Sequence, residues 1–96
     1  MKIVISDKAR SDLLQLYAYL AARSPAAACK AVAAVDTKFA NIAEFPFIGR
    51  ERSALADGLR SFVSGTQVIF YRISGEEIVV VRVLDGRRDI VEEFKR

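Results

Sequence analysis

Ninety-six residues, 52% hydrophobic and 28% charged, supply enough apolar material for one core and too little chain for two, which excludes a disordered chain and a second domain. The net charge of +3 falls short of a dedicated duplex-DNA binder, and the absence of histidine removes the commonest general base and metal ligand. A single cysteine, Cys29, rules out an internal disulfide and fits a reducing compartment. No stretch resembles a signal peptide or reaches membrane-spanning length, so the expectation is one cytoplasmic domain over residues 1–96 with no membrane contact.

In chain order, Lys2–Ile5 (KIVI) reads as a short strand, and Ser6 or Asp7 offers an oxygen to cap a following helix. From Lys8 to about Ala22 the residues Ala9, Leu13, Leu16, Tyr17 and Leu20 recur at three- and four-residue steps, while Arg10, Asp12 and Gln15 fall away from that face. Ser24 then suits an N-cap and Pro25 the first helical position, where its missing N–H costs nothing. A second helix follows to about Glu44, with Ala28, Val32, Val35, Phe39 and Ile42 as its stripe, and the tight connection implies an antiparallel hairpin. Cys29 lies in the alanine-rich part of this helix and reads as a small packing residue. Pro46 ends the helix, and Gly49–Gly58 reads as a polar connection in which Arg50, Glu51 and Arg52 compensate one another.

Leu59 to Ile90 reads as three strands joined by turns at Ser64-Gly65 and Ser74-Gly75. Two-residue turns put Leu59, Val63, Val68, Phe70, Val79, Val81 and Val83 on one side with Arg72. Phe62, Ile69, Tyr71, Ile73, Ile78, Val80 and Leu84 share the other with Arg60, Gln67 and Arg82. Both faces are apolar, whereas a sheet with one solvated face alternates. The helical hairpin covers one of them. The other, apolar and dotted with arginines, is expected to be a partner surface, unless the first strand, the tail 89–96 or a second copy covers it.

No metal-ligand spacing, phosphate-binding glycine loop or nucleophile triad is present, so no catalytic residue, metal or cofactor is assigned. Arg60, Arg82, Arg87 and Arg88, with Tyr71, have the chemistry to hold phosphates and stabilise developing charge. A cleaving site also needs a group to accept the nucleophile's proton, and none is evident; the residues favour protein binding over catalysis.

Read together, KARSDLLQLYAYLAARSP, FPFIGRER, GLRSFVSGTQVIFYRI and VVRVLDGRRDI resemble, in that order, the ParE branch of the RelE/ParE toxin superfamily over essentially the whole chain. The resemblance implies an α+β fold: an N-terminal strand, an antiparallel helical hairpin on a three- to four-stranded, mainly antiparallel sheet, and a short C-terminal helix. It also implies a growth-inhibiting toxin of a type II toxin–antitoxin module, non-enzymatic, acting on DNA gyrase by protein contact. A cognate ParD-like antitoxin would neutralise it, with DNA reached only through that antitoxin. RelE-like relatives instead cut mRNA on the ribosome with basic residues and a tyrosine. Two of those basic positions correspond to Arg60 and Arg88; a third is Gln67 here, and the C-terminal tyrosine is Phe94, which argues against the nuclease. A non-toxic relative that only binds its antitoxin is the remaining alternative. On this resemblance the antitoxin would meet Phe62, Ile69, Tyr71, Val80, Arg60 and Arg82, and the target would meet Arg87, Arg88, Phe94 and Arg96.

Overall fold

The computed structural model describes residues 1–95; Arg96, one of the residues expected to meet the target, lies outside the described residues. The elements run β1 (Lys2–Ile5), α1 (Asp7–Ala21), α2 (Pro25–Glu44), β2 (Arg50–Glu51), β3 (Arg60–Ser64), β4 (Gln67–Ser74), β5 (Glu77–Asp85) and α3 (Ile90–Phe94). The expected α+β arrangement is present, with one strand more than expected. The five strands lie in the order β1-β5-β4-β3-β2, with β1 parallel to β5 and every other pair antiparallel. The additional strand, β2, is charged and two residues long and pairs Arg50 with Ser61 and Glu51 with Arg60. A short charged edge of this kind discourages pairing with another chain.

The caps fall where the sequence put them. Ser6 Oγ accepts the N–H of Ala9 and Ser24 Oγ that of Ala27, with Pro25 opening α2. The hairpin turns sit one residue later than expected, at Gly65-Thr66 and Gly75-Glu76, which leaves the pairing parity unchanged. Each turn opens on a glycine at φ 60°, followed by an ordinary residue, the requirement of a type II′ turn.

The helical hairpin covers the face made by Phe62, Ile69, Tyr71, Ile73, Ile78 and Val80, packing Ala9, Val35, Phe39 and Ile42 onto it. Each large apolar side chain in that layer contributes roughly 1.5–3 kcal/mol by leaving water. This overturns the expected partner surface: Ile69, Tyr71 and Val80 are 0% exposed inside the core, and half-buried Phe62 carries the Lys38 ammonium 5.5 Å above its ring. Alternation along a strand fixes which residues share a face, but with both faces apolar it does not say which one meets the helices.

The second face is covered over part of its area. Phe70, Leu59 and Leu84 are buried there beneath Leu55 of the 52–59 connection and Ile90 and Phe94 of α3, while Val63 on the same face stays exposed. The tail thus covers part of that face as the alternative had it, whereas β1 extends the sheet edge instead of covering it. The expected faces also fail beyond residue 80. Tyr71 pairs with Val80 and Phe70 with Arg82, so Val81 is an extra residue, a β-bulge that sends Val83 to the helical face and Leu84 to the other.

Candidate interaction site

The predicted arginines divide by what they hold. Arg60, at the start of β3, clamps the 45–49 loop. Its Nη1 donates to Gly49 O at 2.7 Å and Phe47 O at 3.4 Å, its Nη2 to Glu51 Oε1 at 3.3 Å, and its guanidinium stacks 4.9 Å above Phe47. Tyr71 closes the same clamp from β4, accepting the Gly49 N–H at 2.8 Å and donating to Pro46 O at 2.7 Å. Burial pushes its hydroxyl up from the ordinary tyrosine range, so it stays a donor. The clamp fixes a loop whose Phe45, Phe47 and Ile48 side chains remain exposed.

Arg82 is committed to α1. Asp12 Oδ2 accepts its Nε at 2.8 Å and Oδ1 its Nη2 at 3.0 Å, while Glu93 of α3 lies 3.5 Å from its Nη1. The hydrogen bonds from Arg82 to Asp12 raise the arginine's pKa, which keeps it charged. Asp12 also accepts the Val83 N–H at 2.9 Å, a donor left free because β1 ends opposite Val80. Asp12, read from sequence as facing away, is therefore buried; its spacing of three from Ala9 and four from Leu16 is the signal that places it on the inner face.

Arg87 and Arg88 leave the turn after β5. Arg87 has an 83%-exposed side chain and binds Asp85 through Nε at 3.0 Å and Nη2 at 2.8 Å, and Arg88 Nε lies 3.8 Å from Glu93. The Arg87 guanidinium, with help from its backbone N–H, holds the Asp85 carboxyl at about 2, well below the ordinary 3.8. A depressed carboxylate stabilises the fold above its ordinary pKa and loses that contribution as pH falls through the folded value. Asp85→Asn is therefore expected to lower the urea midpoint relative to wild type at neutral pH. The two proteins should converge as pH falls from about 4 towards about 2. A gap independent of pH would contradict this.

Between the helical hairpin and the end of the sheet runs one groove made of two adjoining cavities, about 380 and 290 Å³, that share Leu16, Tyr19, Gln67 and Asp85. Asp12, Gln15 and Arg88 close one end; Ala31, Ala34, the β3–β4 turn and Arg87 close the other. Of the positions compared with the nuclease pattern, Gln67 and Arg88 meet in this groove, whereas Arg60 lies in the loop clamp and Phe94 packs edge-on to Phe70 at 4.9 Å. The groove carries carboxylates as well as guanidiniums, a poor match to a phosphate chain. Tyr19, 59% exposed with Arg23 4.1 Å over its ring, was missed from sequence; the Tyr-Arg spacing of four was its only signal.

Fold and site together describe a small α+β domain in which Arg60 and Arg82 brace the chain's own loop and helix. The family described as ParE toxin of type II toxin–antitoxin system, parDE, matches residues 3–90, and the chain belongs to that family. Toxin ParE3 of Caulobacter vibrioides is 37% identical over 60 residues, covering 62% of this chain and 60% of that protein. Toxin ParE1 of Mycobacterium tuberculosis is 40% identical over 58 residues, covering 59% of this chain and 55% of the relative. The matched stretches thus span less than two thirds of either relative. Among solved structures, a chain from the chromosomal ParDE TA system of P. aeruginosa superposes with a TM-score of 0.75 at 24% identity, over 88% of this chain and 95% of that one, a likeness of fold.

Proposed function

We propose that the chain is the toxin of a type II toxin–antitoxin module that arrests growth by blocking DNA gyrase through protein contact, without catalysis, in the cytoplasm. The observation carrying this reading is the commitment of Arg60, Tyr71 and Arg82 to intramolecular partners, which leaves, among the described residues, no assembled set of free cations and a proton acceptor for cutting RNA. Accessible Arg87 and Arg88 remain as target contacts. A ParD-like antitoxin neutralises the protein by laying a segment in the groove, its apolar side chains against Leu16, Ala31 and Ala34 and an acid beside Arg87. Operator DNA is reached through that antitoxin alone.

Purified protein added to a gyrase supercoiling assay is expected to inhibit it, and Arg87→Glu/Arg88→Glu to weaken inhibition by about tenfold or more, as charge reversal at an interface does. Codon-specific cleavage of mRNA on ribosomes with gyrase untouched would replace this reading with the ribonuclease. Expression without growth arrest would leave a non-toxic antitoxin binder.

A further inference from the structure

The second face of the sheet is closed by a weak element. α3 is five residues long, far below the length at which a helix holds itself together in water, and none of its residues is fully buried. Beneath it, Phe70 and Leu84 are 0% and 1% exposed. The attachment consists of Ile90 and Phe94 against that cluster, the edge contact of Phe94 on Phe70, and Glu93 near Arg82 and Arg88. When α3 leaves, Arg82 keeps both hydrogen bonds to Asp12 and Arg88 turns to water, so opening strands no buried charge.

We propose that α3 is a strap, hinged at the turn Gly86–Asp89, which opens as a unit while the rest of the fold stays closed. The closed strap engages internally two of the groups expected to meet the target, Phe94 on Phe70 and Arg88 on Glu93. The open strap frees both and uncovers the apolar surface of Phe70 and Leu84. That these freed groups reach the target rests on the reading above; the opening itself does not.

Hydrogen–deuterium exchange on the full chain tests the strap without any partner. Peptides from 88–95 are expected to exchange well before those from 25–44. Glu93→Gln should accelerate 88–95 by roughly two- to fivefold, the effect of losing a partly exposed ion pair, raise binding of an apolar dye, and leave 25–44 unchanged. Phe94→Ala, which leaves the Arg82–Asp12 pair alone, should produce the same localised change. Exchange of 88–95 only in step with 25–44, or equal acceleration of both by either variant, would overturn the strap. If opening is needed to strike gyrase, Glu93→Gln inhibits supercoiling more potently by the same factor as its exchange. Localised exchange without that gain would keep the strap and remove its link to the target.

Discussion

Asp12→Ala is expected to cost roughly 3 kcal/mol of folding stability, seen as a fall of about 2 M in the urea midpoint, since breaking a buried charge pair costs about 3–5 kcal/mol and m is about 1–3 kcal/mol/M. The side chain holds three hydrogen bonds at once, two from Arg82 and one from the Val83 N–H. Alanine leaves a guanidinium with a 15%-exposed side chain short of its main partner and a buried amide with none. The lower end of the range applies because Glu93 stays near Arg82. Asp12→Asn keeps an acceptor for Val83 and should lose about half as much. A loss below about 1 kcal/mol for the alanine variant would mean that Arg82 reaches water and the pair is not a brace.

Gly49→Ala carries a comparable penalty through sterics. A Cβ there would stand 2.5 Å from Tyr71 Oη, 2.7 Å from its ring and 2.9 Å from Ser61 O. Tyr71 is fully buried and Ser61 O is backbone, so neither yields; the loop must move and gives up the Tyr71 and Arg60 hydrogen bonds. Adding the lost bonds to the overpacking gives roughly 3 kcal/mol or more. The internal control is Gly86→Ala, where the nearest atoms stand at 3.4 and 3.5 Å, an ordinary contact, and the change should stay within about 0.5 kcal/mol. Equal losses at the two glycines in thermal or urea unfolding would contradict the clamp.

Local chemistry was legible in the sequence: Ser6, Ser24 and Pro25 mark helix starts, and Gly65 and Gly75 mark the turns, because each acts through its own backbone. What depended on distant partners was not. The run IVVVRVL is apolar at nearly every position, so the phase change at Val81 leaves no trace in its pattern. β2 is two charged residues whose strand character comes entirely from pairing with β3. For the candidate site, the sequence picked out Arg60, Tyr71 and Arg82 as chemically able. Only their partners, Gly49, Pro46 and Asp12, turn them into braces. The groove arises where α1, α2 and the sheet end meet, and the one unmet hint was Tyr19 beside Arg23.

The parallel pairing of β1 with β5 also sets an order of assembly. Lys2–Ile5 finds its partners at Glu77–Val80; Ser6 bonds to Val80 O and Val81 O, and Asp12 to Arg82 and Val83. Every one of these anchors for the first strand and helix therefore waits until β5 has been synthesised. Hairpin contacts between β3 and β4 are local and close within about 1–10 μs, whereas β1 must close a loop spanning most of the chain. A nascent chain stopped short of β5 holds its first strand unpaired and its core open. The last long strand is the step that closes this core, so the fold is gained all at once when β5 joins rather than piece by piece along the chain.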